Sequence, residues 1–599
     1  MPKENVIHHV LIANRGEIAI RIARAAAEAG IATTAIYATD DANSLHLQRV
    51  DNAVALDGVG PAAYLDIDGV VAAAKEAGAD AIHPGYGFLS ENAAFAEVAA
   101  AAGLAFVGPS PAALSAFGDK ANARRLAIEC NVPVIPGTDG PTDPQDARAF
   151  FEGLGPDGAV MVKAVAGGGG RGMRPVTDLE QLADALARCA SEAEAAFGDG
   201  GVYLEKLIPD ARHIEVQVAA DQEGNVVVLG DRDCSLQRRR QKIVEVAPAP
   251  GLTKDQRAAF HQHASELTKA AQYCGLGTVE FLLGGDGTLA FIEFNARLQV
   301  EHTVTEAVTG LDLVRLQFDI ANGESIAHVT PHAPWGTAIQ ARVNLETMEA
   351  DGGARPGGGE IAAFEPPAGP GLRVDHFGYA GYRTSPRYDS MLAKVIVHSP
   401  SDDMSDCAAK TGRSLSEFRL DGVPSNLSFL QAVLARPEWE TYGFDVAFIE
   451  REAATLVEAA LAMPRPNFGQ DSDEASVTAR LAGAQVDEAD PLAVLDHGRA
   501  QSSEEAAGDF VSEDGYVLQA PMQGSIVSVA VAPGEEVWEG RVVLIMESMK
   551  MEHEVAAETS GVVRRINIAA GDVVFEDSPL LIIDEADVSA SDDGALEEV

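Results

Sequence analysis

The stretch Glu547-Ser548-Met549-Lys550-Met551 lies at the midpoint of a duplicated segment, and its reading decides the C-terminal fold. Gly524-Ser525-Ile526-Val527 leads to Pro533-Gly534-Glu535-Glu536-Val537. Thirty-seven residues on, Gly561-Val562-Val563 leads to Ala570-Gly571-Asp572-Val573-Val574. Each half alternates apolar residues and closes on an aliphatic run, Val542 to Ile545 and Leu580 to Ile583. Period-two alternation predicts strands, and two equal halves predict a small pseudo-symmetric β-barrel. Lys550 falls between the halves, where the chain must turn over, and is therefore exposed and open to modification.

A chain of 599 residues exceeds one core and predicts about three to five domains. The apolar content of 46% fits packed globular units, and no uninterrupted apolar stretch is long enough to span a bilayer. The start, Met1-Pro2-Lys3-Glu4-Asn5, lacks a signal-peptide pattern. Five scattered cysteines with no CxxC fit a reducing cytoplasm without disulfides or structural zinc. The net charge of −47 argues against nucleic-acid binding, because no basic patch offsets it. Eleven lysines stand against thirty-three arginines, a Lys-poor acidic surface compatible with a saline habitat. Against that background, each positive charge in an anion site is more telling.

Residues 9–13 read as a buried strand, Asn14-Arg15-Gly16 as a turn into an Ala-rich helix ending near Gly30, and Thr34 to Ala38 as a second strand. This β-turn-α-β start predicts a doubly wound sheet over residues 1–118. A second unit, 119–335, surrounds the glycine run 167–172, and a third, α+β unit runs over 336–454. Residues 455–512 read as a linker or small docking subdomain, 513–585 as the barrel and 586–599 as an acidic, disordered tail.

The glycine run formally contains GxGxxG, but the Met173-Arg174-Pro175-Val176 that follows does not open a helix, so the dinucleotide reading fails. A mobile flap between two β segments fits better, since backbone N–H groups without Cβ atoms can approach phosphate oxygens. Lys163 ends the preceding apolar strand and Lys120 opens a helix after Asp119; both are candidates for the same phosphates, and a solvated lysine is the competing reading for each.

The hairpin at 278–294 is sharper. Asp286-Gly287 is a signal for a two-residue type I′ turn. If that pair forms the tip, Glu280 and Glu293 stand equidistant from it and face each other between apolar neighbours. Like charges so placed are destabilising unless a cation lies between them. Asn295 shares their face, and oxygen donors of this kind suit Mg²⁺ or Mn²⁺ bridging phosphates. The run Arg297-Leu298-Gln299-Val300-Glu301-His302 and the cationic cluster Arg238, Arg239, Arg240 and Lys242 point to an anionic substrate.

On these motifs the C-terminal segment resembles the biotin carboxyl carrier domain, with Lys550 matching the lysine that carries biotin. Residues 6–450 resemble biotin carboxylase, an ATP-grasp enzyme. That resemblance rests on Ala13 to Ala19, His83 to Asn92, Lys163 with the glycine flap, Asp233 to Pro248, Glu293 to His302, and Tyr388 to Met391. It implies a multidomain α/β and α+β fold ending in an all-β biotinyl barrel. It implies ATP contacts at Lys120, Lys163, Gly168, Gly169, Gly170, Glu205, His213 and Gln237, and metal ligands at Glu280, Glu293 and Asn295. Bicarbonate would be gripped by Lys242, Arg297, Gln299 and the Val300 backbone. Glu301 would be the general base and Arg342 would stabilise the biotin enolate. Two positions depart from the family's habit: Ser548 where alanine is commonest, and Arg240 where histidine is usual.

The implied reaction is ATP- and bicarbonate-dependent carboxylation of biotin on Lys550, through carboxyphosphate. With no second large catalytic domain after residue 585, carboxyl transfer is expected from a separate carboxyltransferase β subunit, in a hetero-oligomeric acyl-CoA carboxylase. A biotin protein ligase would install the biotin. The alternatives are the α component of a pyruvate or urea carboxylase system, or a nonenzymatic carrier with a degenerate ATP site; the intact set of site residues argues against the last.

Overall fold

The computed structural model describes residues 6–138, 140–155, 158–165, 173–197, 199–330, 333–463, 515–548, 551–575 and 577–586. The chain divides into two units, Met1–Pro464 and Arg465–Val599.

The first unit begins with five parallel strands in the order Asn52–Ala55, Ala32–Tyr37, His9–Ile12, Ala81–His83, Ala105–Phe106. Helix Gly16–Glu28 follows the central strand and buries an Ile/Ala face (Ile18, Ile22, Ala26). The strand order reverses between His9–Ile12 and Ala81–His83, where the loops of an open parallel sheet leave a crevice. Asn14 stitches the two loops together, donating to the carbonyls of Pro84 at 2.7 Å and Tyr86 at 2.8 Å. A Cβ on Gly85, whose φ is +64°, would stand 2.9 Å from that amide nitrogen, so this turn admits only glycine.

Next comes a small three-stranded sheet, Met173–Val176, Val160–Ala164 and Val202–Lys206, with helices Pro144–Gly153 and Leu182–Phe197 sharing its core. The glycine run expected as a flap lies outside the described residues at 166–172.

An eight-stranded sheet carries the site. Its order is Leu289–Asn295, Gly275–Leu283, Arg212–Ala220, Val226–Arg238, Gln241–Ala247, Thr337–Asn344, Met391–Ser399, Leu372–His376. The sheet and its following helix run across two expected boundaries. The division at 335/336 cuts through one continuous sheet, because Val244 to Ala247 pair antiparallel with Ala341 to Ala338. The division at 454/455 falls inside helix Phe448–Leu461, whose Phe448, Ile449 and Leu456 join the same core.

The hairpin tip also differs from expectation. Gly287 donates to the Gly284 carbonyl at 2.9 Å and Gly284 to the Thr288 carbonyl at 2.8 Å, so the turn spans 284–287 with Gly287 at φ +86°. Leu283 then faces Leu289, Leu282 faces Ala290, and Phe281 faces Phe291. A bulge at Ile292 shifts the register back, and Glu280 faces Glu293 after all. Two offsets cancel. The two-residue turn with both φ values positive occurs instead at Arg239 (φ +44°) and Arg240 (φ +66°), between paired Arg238 and Gln241.

The second unit is the expected all-β barrel: two four-stranded sheets around a core of Leu518, Ile526, Val543, Leu544, Val563, Leu581 and Ile583. The duplication recurs in three dimensions. A Cβ on Gly524 would meet the Glu547 carbonyl oxygen at 2.5 Å, and one on its counterpart Gly561 would meet that of Asp584 at 2.1 Å. Ser548 pairs with Met551; residues 549 and 550, and so Lys550, lie outside the described residues.

Candidate active site

Strand alternation paves one face of the eight-stranded sheet with polar groups. Residues two apart on a strand share a face, so Arg212–Ala220 presents His213, Glu215 and Gln217 together. The neighbouring strands add Arg232, Gln237, Lys242, Glu280, Glu293 and Asn295, and the loop after Asn295 adds Gln299 and Glu301.

Lys242 is the centre of this cluster. Its ammonium contacts Glu215, Glu280 at 3.1 Å and Glu301 at 2.7 Å. Burial opposes its charge, but the three carboxylates outweigh burial and hold its pKa well above the ordinary lysine value. Glu280 also lies 2.8 Å from His213 Nε2, and it accepts from Asn295 Nδ2 at 2.8 Å and Gln299 Nε2 at 2.6 Å. Burial would raise its pKa; Lys242 and His213 overcome that and hold it well below the usual carboxylate range. Among the described residues no cation forms an ion pair with Glu293. Burial, then Glu280, pushes its carboxyl up, and Lys120 only partly offsets this. A facing pair with one carboxylate left short of positive charge fits a divalent cation. Asn295 turns its amide nitrogen, not its oxygen, to Glu280 and to Glu293 at 3.2 Å, while its Oδ1 accepts from Arg297 at 2.9 Å. In this conformation it is a donor to the carboxylates, and only an amide flip makes it a ligand.

Glu301 caps the other side. Its Oε2 lies 3.1 Å from Arg342, which also pairs with Glu245. Burial disfavours the Glu301 charge, but Lys242, Arg342 and Arg232 together hold its pKa far below normal. Arg297 donates to Glu91 at 2.8 Å, and Gln299 accepts from Arg232 at 2.7 Å. Lys163 pairs with Glu205 across the small sheet. Burial lowers the Lys120 pKa, with Glu293 opposing and Lys163 reinforcing the shift, which places Lys120, Lys163, Glu205 and Glu293 within one electrostatic neighbourhood. Gln237 Nε2 lies 2.7 Å from His213 Nδ1.

The sequence-predicted residues therefore converge, except for Gly168, Gly169, Gly170 and Lys550, which lie outside the described residues, and part of the cationic cluster. Of that cluster, Lys242 joins the buried carboxylates. Arg238 turns to Glu346 at 3.3 Å, Arg239 to Asp351 at 3.6 Å, and Arg240 to the Met173 carbonyl at 3.2 Å. Alternation explains the split between Arg238 and Lys242: Lys242 pairs with Gln237, and Arg238 points the opposite way from both. Sequence reading missed Glu215, Glu245 and the fully buried Arg232, which binds Glu215 at 3.0 Å, Gln217 at 2.8 Å and Gln299. The spacing of Glu215 from His213 was the available signal.

Fold and site together define a biotin carboxylase followed by a biotin carrier domain, and the chain belongs to the biotin-dependent carboxylases. Four family models match it: "Biotin carboxylase, N-terminal domain" over residues 6–114, "Carbamoyl-phosphate synthase L chain, ATP binding domain" over 119–329, "Biotin carboxylase C-terminal domain" over 340–451, and "Biotin-requiring enzyme" over 516–583. The chain is 40% identical over 593 residues to the biotin-dependent acyl-coenzyme A carboxylase alpha3 subunit of Mycobacterium leprae, covering 96% of this chain and 98% of that one. Among solved structures, a single-chain, multi-domain long-chain acyl-CoA carboxylase aligns with TM-score 0.67 at 38% identity, covering 97% of this chain and 51% of that chain. The biotin carboxylase domain of the Hydrogenobacter thermophilus 2-oxoglutarate carboxylase, a dimer in complex with MgADP, ADP and bicarbonate, aligns with TM-score 0.71 at 38% identity over 76% of this chain and 99% of that chain. The cofactors are those of the family, biotin and ATP with a divalent metal. Among the described residues no helix is long and apolar enough to cross a membrane.

Proposed function

We propose that the first unit carboxylates biotin carried on Lys550, with bicarbonate held by Lys242, Arg297, Gln299 and the Val300 backbone. The observation that carries this reading is the clamping of Glu301 between Lys242 and Arg342, beside a facing carboxylate pair. So clamped, Glu301 is ionised but weakly basic. An anion entering between Lys242 and Arg297 competes for the Lys242 ammonium, and Glu301 gains basicity as that contact loosens. It then takes the bicarbonate proton and leaves a better nucleophile for the γ-phosphate.

Lys120 and Lys163 are placed to offset charge on the transferring phosphoryl group, with Glu205, His213 and Gln237 lining the nucleotide. Glu280 and Glu293 would hold Mg²⁺ or Mn²⁺, which when bound supplies charge neutralisation at the phosphates. Arg342, freed from Glu301, stabilises negative charge developing on the ureido oxygen of biotin. The tether raises the local concentration of biotin wherever the linker spans the sites.

The downstream step is assigned to a separate carboxyltransferase β subunit acting on an acyl-CoA, as the near full-length likeness to an acyl-CoA carboxylase α subunit supports. A biotin protein ligase is the partner that loads Lys550. The expected domain limits, with the linker at 455–512, stand as part of this proposal, except that the helix ending at Leu461 shortens the start of the linker. The test is ATP hydrolysis by the metal-supplied protein with free biotin. It should depend on bicarbonate. Folded protein without that activity would leave a carrier scaffold instead. Assays across acyl-CoA lengths with the co-purified β subunit then identify the acceptor.

A further inference from the structure

Lys394 lies in the middle of strand Met391–Ser399 with no solvent exposure, among Leu392, Ala393, Val395 and Ile396. Burying an ammonium costs several kcal/mol unless it is well paired, and an apolar residue would serve packing better. Its partners are specific. The Nζ lies 3.0 Å from Glu17 and donates to the Val300 carbonyl at 3.1 Å. Its cross-strand neighbour is Arg342. Two residues beyond Val300, the ring of buried His302 donates from Nδ1 to the Gln299 carbonyl at 2.7 Å. Burial, then Lys394, Arg21 and Arg373, hold the His302 pKa well below normal, so the ring is neutral and Nδ1 carries its proton.

Two consecutive carbonyls are thus anchored on one side of the loop. In a planar trans peptide the C=O and N–H point in opposite directions. Anchoring the Gln299 carbonyl directs the Val300 N–H, and anchoring the Val300 carbonyl directs the Glu301 N–H. Among the described residues neither N–H has a protein acceptor. Both belong to the entry of helix His302–Thr309, where free N–H groups favour an anion.

We propose that Lys394 and His302 are positioning residues for bicarbonate: from behind the pocket they hold the Val300 and Gln299 carbonyls and turn the Val300 and Glu301 N–H groups toward the anion. This rests on the bicarbonate site proposed above. Neither side chain touches substrate. Each acts through the peptide it holds, and Lys394 also fixes the loop relative to Arg342.

The test compares wild type with Lys394→Met, with Lys394→Met/Glu17→Gln, which removes the ion pair as a unit, and with His302→Phe, which strands no charge. Each is checked by thermal melting and assayed for bicarbonate-dependent ATP hydrolysis with free biotin. The Michaelis constant for bicarbonate should rise about tenfold, the scale of one hydrogen bond to a charged group, while that for ATP stays within about twofold. A purely structural role would lower kcat through the active fraction and leave the bicarbonate constant alone. Folded His302→Phe or double variant with a bicarbonate constant within about twofold of wild type overturns the proposal. Arg297→Lys serves as the reference: if it leaves the bicarbonate constant unchanged, the site reading itself fails, whatever the Lys394 variants do.

Discussion

Lys242 Nζ lies 2.7 Å from Glu301 Oε1 and also contacts Glu215 and Glu280, so one ammonium serves three buried carboxylates. Removing it leaves those charges facing one another. Lys242→Met should lose about 3–5 kcal/mol of stability, the range for breaking a buried pair, and bicarbonate-dependent ATP hydrolysis with it. Lys242→Met/Glu280→Gln should regain part of the stability and none of the activity. Denaturant melts alongside ATPase assays separate the two effects.

Within the cluster, Glu301 and Glu215 should respond to pH with opposite sign. Glu301 has its folded pKa depressed, so its contribution is present above its unfolded value, about 4.5, and is lost as the pH falls through the depressed value. Glu301→Gln should destabilise at pH 7 and converge on wild type in acid. The Glu215 carboxyl is pushed up to about 6, by burial first and then by Glu301 and Glu280 against the pull of Lys242. Its contribution is present below about 4.5 and lost as the pH rises through 6. Glu215→Gln should therefore gain on wild type as the pH passes from 5 to 8. Melting curves of both variants across this range check the signs.

Glu280 and Glu293 face each other directly, whereas Asn295 presents a nitrogen to them. Glu293→Gln should raise the Mn²⁺ concentration for half-maximal activity by about tenfold or more, and Asn295→Ala by less. Equal effects would show that the Asn295 amide turns over on binding metal. Activity titrations with Mn²⁺ and direct metal binding in the absence of ATP provide two readouts.

In the carrier unit, Gly561→Ala forces a Cβ against the Asp584 carbonyl. Clashes of this kind in a packed interior cost about 1–3 kcal/mol. The variant should label poorly with biotin because the barrel loosens. Lys550→Ala should lose biotin entirely while the protein retains activity on free biotin. Intact mass spectrometry after expression with a biotin protein ligase distinguishes partial from complete loss; a fully biotinylated Lys550→Ala protein would place the attachment elsewhere.

The carrier barrel was legible because its signal is local: a repeat, an alternation and two glycines at matching crossings. The facing pair Glu280–Glu293 was also legible, though for an incomplete reason, since the turn at Gly284–Gly287 and the bulge at Ile292 each displace the register and together restore it. The cationic cluster at 238–242 was legible as a cluster, but sequence proximity hides the alternation that sends Arg238 and Lys242 to opposite faces. The sheet shared by the second and third units was not legible, because the pairing of Val244 with Ala341 joins segments far apart in the chain and leaves no local mark.

Spacing by itself settled which residue types the chain holds at each turn and on each strand face, because backbone geometry repeats every two or 3.6 residues. Only the tertiary structure decided which charges meet. Lys394 reaches Val300 across 94 positions, and Arg21 reaches Glu306 across 285. The reason is physical: the energy of a buried charge depends on distance through a low-dielectric interior, and chain separation carries no information about that distance.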